Sequence, residues 1–234
     1  MTGDDDAVAL RANVEFRSHT PCDKQPFQDN AIDLVTSQFG FEYSDITKTI
    51  AEARRILKPG GRFIAISHHA ESSLIKAATI ELKVYEYALD ELDIFGALRE
   101  LFDALGTLDG TPETLKASSE KAKPYSQKVN DVMNQFRGRY PTEECAQEIV
   151  GTVGHLAQGA GAVSHRERLA AVDLAADDFR CARARLRDMV AAALDQEQVD
   201  DFTLIARETG FSSVYCLTLY GGDGELAGWQ IHLK

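Results

Sequence analysis

The sequence predicts an α/β protein in which a mostly parallel sheet ends in an antiparallel hairpin and is interrupted by a large all-helical insertion. Two short apolar runs, at 32–39 and 62–67, flank one amphipathic helix, which is the pattern of two parallel strands joined by a helical crossover. Helical periodicity then dominates residues 71–196. Near the end, the turn-forming residues at 221–224 separate two strand-like segments, which predicts a hairpin.

Local patterns define the elements before the insertion. Residues 4–13 indicate a short helix with acidic residues at its start, and residues 14–19 alternate apolar and polar side chains, as a strand does. A loop leads from there to the first buried strand, and Ser44 or Asp45 caps the helix that follows. The Pro-Gly-Gly sequence at 59–61 ends this helix and leads into the second buried strand.

The insertion contains four helical stretches. The second begins at Thr111 and is interrupted at Pro124, and the third begins at Pro141. The fourth has apolar residues at near-heptad spacing from Leu169 to Ala193. A single stripe of this kind predicts packing inside a helical bundle rather than a dimeric coiled coil.

The chain therefore divides into two regions. A further helix and strands at 211–220 and 226–233 return the pattern to α/β after the insertion. We expect residues 1–70 and 197–234 to form the sheet core, and residues 71–196 to form the helical insertion.

The net charge and the number and spacing of the cysteines narrow the classes of binding partner and the cellular compartments that we expect. The chain has a formal net charge of −12, which disfavours nucleic acid because phosphate backbones repel an acidic surface. No apolar run approaches the roughly 20 residues of a membrane span, and no secretory signal is recognised. The four cysteines form no CxxC pair, so we expect a cytoplasmic protein with reduced thiols.

Two long motifs and a closing one point to a family. Residues 26–40 read PFQDNAIDLVTSQFG and residues 53–63 read ARRILKPGGRF, with Gly210-Phe211 and Gly228-Trp229 near the end. In this order they resemble the "LPFxDxxFDxVxSxxG", "xxRVLKPGGRF" and "GFxxV…GW" stretches of class I S-adenosylmethionine-dependent methyltransferases of the small-molecule type. The resemblance covers about half of the chain.

The resemblance implies a fold class of α/β with a truncated Rossmann-like methyltransferase sheet and a large all-helical insertion. Residues 14–19 would be the family's third strand, 32–39 the fourth and 62–67 the fifth. The last two strands would be the sixth and seventh, so that strands 3, 4, 5, 7 and 6 of the family order 3-2-1-4-5-7-6 are present. Insertions at this place act as substrate-binding lids in the family, which implies a small-molecule methyl acceptor.

The sequence departs from the family at the cofactor-binding start. The family's first strand ends in a "DxGxGxG" turn that approaches the cofactor beside a helix N-terminus. No such strand and turn occur here, and the glycines at 159–161 follow no strand. The resemblance implies S-adenosylmethionine as cofactor, while the missing turn weakens the expectation that this chain binds it.

The resemblance also implies the remaining cofactor contacts. Ser37, Gln38 and Phe39 end the fourth strand, where ligands of parallel sheets bind, although the same residues can simply pack into the core. Asp23 would border the adenine, and Asp5 would hold the ribose hydroxyls.

Four residues at the strand ends are candidates for the chemistry. Glu42 and Tyr43 would face the transferred methyl group, with Glu42 as a base; alternatively, Glu42 is a helix-start acid favoured by the helix dipole. His68 and His69 follow the fifth strand, where a histidine can deprotonate an acceptor near neutral pH. They are otherwise polar loop residues or a helix cap. Because adjacent strand residues point to opposite faces, we expect no metal site there.

Three interpretations of the missing start remain open. The catalytic product is longer than this chain, the chain is a degenerate non-catalytic interaction module, or a partner chain supplies the missing strands. Without the first and second strands, the fourth strand is left as an apolar sheet edge, which invites pairing. We expect the third strand to collapse onto this edge, or a second copy to cover it in a homodimer.

Overall fold

The chain forms two compact units in the computed structural model, which describes residues 14–108, 111–222 and 224–234. The sheet unit comprises Met1–His69 and Leu194–Lys234, and the helical unit comprises Ala70–Ala193. The helix expected at 4–13 lies outside the described residues. The elements in chain order are β1 (Ile32–Gln38), α1 (Ile46–Ile56), β2 (Leu57–Ser67), α2 (Ser73–Glu86), α3 (Ile94–Leu105), α4 (Pro112–Arg139), α5 (Glu144–Gly159), α6 (His165–Ala192), α7 (Gln196–Glu208), β3 (Val214–Tyr220) and β4 (Leu226–Leu233).

The four described strands form one sheet in the order β1-β2-β4-β3. Strands β1 and β2 are parallel, and β4 runs antiparallel to both β2 and β3. This order is that of strands 4, 5, 7 and 6 in the predicted sheet. The α/β prediction, with its parallel pair and closing hairpin, is therefore confirmed.

Helix α1 makes the crossover from β1 to β2. Its N-cap is Asp45, whose side chain accepts a hydrogen bond from the Lys48 amide at 3.2 Å. The chain enters β2 directly after Ile56, and the Pro-Gly-Gly turn lies inside the strand as a bulge. Ile32 pairs with Leu57 whereas Leu34 pairs with Arg62, so residues 58–61 loop out of the register.

The core of the sheet unit lies between the sheet and the helices α1 and α7. Apolar side chains alternate along β2 and β4, and those on one face meet the apolar stripes of the two helices. The main buried residues are Phe41, Ile50, Ala53, Phe63, Ala65, Val199, Phe202, Ala206, Trp229, Ile231 and Leu233.

The strand expected at 14–19 does not form, and this prediction was wrong. The chain there is irregular, and Phe16 is 89% exposed. Alternation satisfies only the local requirement of a strand, because the backbone N–H and C=O groups also need a neighbouring strand. No described strand lies beside this segment, and Arg17 instead covers the Phe27 ring at 5.3 Å.

The helical unit has a core of its own. The stripe of α6 is buried against the other helices of the unit through Val172, Ala176 and Phe179, which confirms the prediction of intramolecular packing. Residues from α2, α3, α4 and α5 complete this core, among them Val84, Tyr85, Phe95, Leu98, Phe102, Met133, Phe136, Ile149 and Val153. None of the helices in the described part of the chain is both long and apolar enough to cross a membrane.

Two details of the helical unit differ from the sequence prediction. Pro124 does not interrupt α4, because it lies on the exposed side, where the carbonyl that loses its donor meets water. The first stretch, in contrast, is divided. A π-helical turn at Tyr87–Glu91 precedes Asp93, which has a left-handed backbone (φ 45°) and accepts a hydrogen bond from the Gly96 amide as the cap of α3.

A buried arginine joins three segments of the helical unit. Arg168 is 2% exposed. Its Nη1 donates to the carbonyls of Ala160 at 2.7 Å and Val163 at 3.4 Å, and its Nη2 donates to the carbonyl of Gly106. Gly106 and Ala160 are the C-caps of α3 and α5. The guanidinium therefore lies at two helix C-termini, whose partial negative charge balances its own.

The cysteines should react with thiol reagents in two phases. Cys22 and Cys181 are exposed, whereas burial raises the pKa of the Cys145 thiol to about 11. At pH 8 about one Cys145 side chain in a thousand is then the reactive thiolate. We expect fast labelling of the exposed thiols and slow labelling of Cys145 that accelerates as the pH rises toward 11, as followed by peptide mass spectrometry. Equal rates for Cys145 and Cys181 at pH 8 would contradict this.

Candidate active site

The carboxyl ends of β1 and β2 bring two of the predicted residues into direct contact. Glu42 lies in the 3₁₀ turn Phe41–Tyr43 after β1, and His68 follows the last residue of β2. Glu42 Oε1 accepts hydrogen bonds from His68 Nδ1 at 2.9 Å and from the His68 amide at 3.1 Å. The Glu42 side chain is fully buried and that of His68 is 7% exposed. Parallel neighbouring strands end at the same sheet edge, which is why these two residues meet.

This pair has a defined chemical capacity. An ionised carboxylate can only accept, so the Glu42 contact favours the histidine tautomer that carries its proton on Nδ1. The lone pair is then on Nε2, where it can take a proton from another molecule. The second carboxylate oxygen, Oε2, is buried and has no hydrogen-bond partner among the described residues. A buried oxygen without a hydrogen bond lowers the stability of a folded protein and is typical of functional positions.

Two aromatic rings flank the His68 imidazole. The Phe39 ring lies 4.6 Å from it between centroids, and the Tyr43 ring stands edge-on at 6.0 Å. Phe39 has a left-handed backbone, with φ 51°, which costs a bulky residue about 1–3 kcal/mol. Its amide donates to the Ile66 carbonyl at 2.8 Å. The strained residue thus lies at the strand end, against the imidazole, as is common in functional sites.

His69 faces a different neighbourhood from His68. Its ring stacks on Trp229 with centroids 4.4 Å apart, and its backbone forms a bridge with Leu194. The Trp229 Nε1 donates to the Leu194 carbonyl at 2.9 Å, and the Leu194 amide donates to the His68 carbonyl at 3.0 Å. The structure thus brings Glu42 and Tyr43 together with His68, and Trp229 together with His69.

The residues expected to hold the cofactor do not converge. Ser37 Oγ accepts the Phe41 amide at 3.0 Å and so fixes the turn after β1. Gln38 and Asp23 are exposed, and Asp23 lies in an irregular loop near Lys48. Asp5 lies outside the described residues. The role of these residues in binding stays a prediction.

Sequence reasoning singled out Glu42 and His68 separately but not as a pair. The signal was present, because both follow strands that were expected to be parallel neighbours. The link from Trp229 to Leu194 was missed entirely, since Trp229 carries only the pattern of a core residue. No group of three or more His, Cys, Asp or Glu side chains in the described ranges is placed to hold a metal ion.

Comparison with known proteins shows which family the first part of the chain resembles. Residues 4–65 match the profile of a family described as "Methyltransferase domain". An uncharacterized methyltransferase, YcgJ of Bacillus subtilis (strain 168), is 36% identical over 59 residues, which are 25% of this chain and 23% of that protein. This segment of the chain is similar to class I S-adenosylmethionine-dependent methyltransferases. Its β1, α1 and most of β2 lie inside the matched segment, together with Glu42.

Further proteins that are similar to this chain are named for quinone biosynthesis. The ubiquinone/menaquinone biosynthesis C-methyltransferase UbiE of Brucella canis is 35% identical over 80 residues, or 34% of this chain and 26% of that protein. The enzyme of the same name from Rickettsia bellii is 31% identical over 104 residues, or 37% and 42%. The chain thus spans about a quarter of the length of the first relatives.

A solved structure was also found, the crystal structure of the YcgJ protein from Bacillus subtilis. It aligns over 97% of this chain and 73% of its own at 14% identity, with a TM-score of 0.25. A TM-score this low does not support a fold assignment. The assignment depends instead on the strand order and on the matched segment.

The described residues fit the family's cofactor only in part. A carboxylate oxygen without a partner and two aromatic rings suit a positively charged group such as a sulfonium. For the amino-acid and ribose ends the described residues show no complete site, because Ser37 is engaged with the Phe41 amide and Asp5 lies outside the described ranges. The described residues therefore do not hold the whole group, and no step through it is derived.

Proposed function

We propose that this chain serves S-adenosylmethionine-dependent methyl transfer to a small-molecule acceptor, with His68 as the acceptor's base and Glu42 as the residue that positions it. The observation that carries the proposal is the Glu42–His68 pair at the carboxyl edge of the two parallel strands, 2.9 Å apart. Methyl transfer to an oxygen, nitrogen or acidic carbon releases a proton, and a base at the acceptor atom accelerates the reaction.

The two residues have different tasks in this proposal. His68 Nε2 takes the proton of the acceptor, and the imidazolium that forms stays next to the Glu42 carboxylate. The second hydrogen bond of Glu42, to the His68 amide, holds the carboxylate in place while the ring changes charge. Phe39 and Tyr43 limit the access of water to the ring from two sides.

Composition supports the choice of a small acceptor. With a net charge of −12, the chain is unsuited to a polyanionic substrate such as nucleic acid. The four cysteines are all free thiols, which supports a reducing, cytoplasmic location.

Formation of S-adenosylhomocysteine tests the proposal directly. The purified chain is incubated with S-adenosylmethionine and a panel of phenols, amines and activated carbon acids. We expect His68→Gln to lower the rate about 10²–10⁴-fold. Glu42→Gln should cause a smaller loss, because the backbone still places the ring. His155→Gln, an exposed histidine of α5, is the control and should leave the rate unchanged. An unchanged rate for a folded His68→Gln chain refutes the assigned base.

The engagement of Ser37 with the Phe41 amide and the exposed positions of Gln38 and Asp23 favour a second candidate, a non-catalytic interaction module derived from a methyltransferase. Calorimetry with S-adenosylmethionine separates the two. Binding together with product formation supports the enzyme. Absence of both, in a chain whose circular dichroism shows the expected helices, supports the module.

A further inference from the structure

The one polar side-chain atom of Trp229 is bound to a backbone group beside the candidate site. The residue is 3% exposed, and its Nε1 donates to the Leu194 carbonyl at 2.9 Å in buried surroundings. A buried indole N–H requires an acceptor, and a core tryptophan can find one at many carbonyls. The role of Trp229 therefore depends on what the Leu194 backbone contacts in turn.

Leu194 connects the tryptophan to His68. Its amide donates to the His68 carbonyl at 3.0 Å, and it forms an isolated parallel bridge with His69. Leu194 lies in the short link between α6 and α7 and belongs to none of the four described strands, so no ladder fixes the direction of its backbone. Its side chain packs in the core of the sheet unit, but apolar packing is non-directional. The hydrogen bond from Trp229 is thus the contact that orients the Leu194 carbonyl.

The His68 backbone is held from two directions. Glu42 Oε1 accepts a hydrogen bond from its amide at 3.1 Å, and the Leu194 amide donates to its carbonyl. The ladder pairs of β2 end at Ile66 on one side and at Ser67 on the other, so His68 lies just beyond the sheet, where these two contacts replace the ladder. The 2.9 Å hydrogen bond between Nδ1 and Oε1 depends on them, because a hydrogen bond weakens steeply when donor and acceptor lose their alignment.

Trp229 also contacts the residues on both sides of His68. It pairs with Ser67 in the ladder between β2 and β4. Its ring stacks on that of His69, with 4.4 Å between the centroids and 13° between the planes. Trp229 therefore supports the backbone of the candidate base from the side of β2 opposite to Glu42.

We propose that Trp229 is a positioning residue for His68. Its indole N–H orients the Leu194 peptide, the Leu194 amide fixes the His68 carbonyl, and the imidazole is thereby kept in line with Glu42. The inference rests on the proposed role of His68 as the base, but the alignment of the Glu42–His68 pair is measurable without turnover. The Nδ1 proton of this hydrogen bond gives a downfield proton magnetic resonance signal, which His68→Gln removes and so assigns.

An isosteric replacement removes only the indole N–H. Because Trp229 is the single tryptophan of the chain, global replacement of tryptophan changes this position alone. 3-Benzothienylalanine places a sulfur atom where Nε1 is and keeps the size and stacking of the ring, whereas 5-fluorotryptophan keeps the N–H and is the matched control. We expect the Nδ1 signal to shift or broaden in the sulfur-containing chain and to stay in the fluorinated one. An unchanged Nδ1 signal in the sulfur-containing chain overturns the proposal.

Kinetics test the consequence for methyl transfer. A small misalignment of His68 raises the barrier but keeps the contacts that bind the acceptor. We expect the sulfur-containing chain to lose about tenfold in kcat with a KM within about twofold of the original, and the fluorinated chain to match the unmodified one. Equal kcat values in the two chains also overturn the proposal. If the unmodified chain transfers no methyl group, the proposed function is refuted instead, and the Nδ1 signal alone decides the role of Trp229.

A second variant covers the case that the sulfur-containing chain does not fold. Trp229→Phe keeps an aromatic ring beside His69 but lacks the donor, and should change the Nδ1 signal in the same way. Ile231→Val is its control, because Ile231 is fully buried two residues further along β4 and the change costs packing without removing a hydrogen-bond donor. A purely structural role of Trp229 predicts the same Nδ1 signal in both variants, and that result overturns the proposal.

Discussion

Replacing Arg168 by methionine is expected to lower the free energy of unfolding of the helical unit by about 3–5 kcal/mol. The change keeps the length of the side chain but removes a charge that receives no carboxylate contact in the described residues. It leaves the buried carbonyl of Ala160 and the partly buried carbonyl of Gly106 without their donor. Each of them terminates a helix, so the loss combines hydrogen bonds to a charged group with the interaction of that charge with two helix dipoles.

Urea unfolding followed by far-ultraviolet circular dichroism measures this loss. Arg166→Met is the matched control, because Arg166 is exposed two residues earlier in the same helix and should change stability by less than about 0.5 kcal/mol. Arg168→Lys should be intermediate, since one ammonium group lacks the planar fork that reaches both helix ends. If the Arg168→Met and Arg166→Met chains unfold at the same urea concentration, the account of Arg168 is wrong.

Adding a methyl group at Gly228 is expected to cost the sheet unit about 1–3 kcal/mol. A Cβ atom at this position would lie 2.5 Å from the Ser67 carbonyl oxygen, which belongs to the backbone of β2 and cannot turn aside. Strand β4 must then move away from β2 at the Ser67–Trp229 pair. The same movement loosens the stack of Trp229 on His69, next to the Glu42–His68 pair.

The fluorescence of Trp229 reports this change without interference, because it is the single tryptophan of the chain. We expect Gly228→Ala to lower the urea midpoint of the fluorescence transition. Gly151→Ala is the control: it lies on the exposed side of α5 with open space around it, and should stabilise its helix by up to about 1 kcal/mol. A Gly228→Ala chain as stable as the original would mean that β2 and β4 are farther apart than described.

The sequence was sufficient to predict those elements whose local pattern and neighbouring elements indicate the same structure. β4 begins and ends as predicted at 226 and 233, and Asp45 caps α1, because turn chemistry and capping act over a few residues. The segment 14–19 shows the limit of this reasoning. Its alternation is as regular as that of a real strand, but a strand also requires a partner that no local pattern can supply.

Only the part of the candidate site that follows from the strand topology could be predicted from the sequence. Parallel neighbours bring Glu42 and His68 to the same edge, but whether an acid at that edge meets a histidine depends on the turn at Phe41–Tyr43. Ser37 fixes that turn by accepting the Phe41 amide. Nothing in the sequence indicated that Arg168 is buried. It lies in a polar stretch of α6, and its burial depends on two helix ends that arrive from elsewhere in the chain.

The bridge between His69 and Leu194 has a consequence for how the gene can be edited. The polypeptide leaves the sheet unit after His69 and re-enters at Leu194, and the backbone there is joined by the Leu194 amide and the His68 carbonyl. Exit and return are thus adjacent, so a linker of a few residues can span the gap without stretching the sheet. We therefore expect that the segment between them can be exchanged for another folded sequence whose own ends lie equally close together.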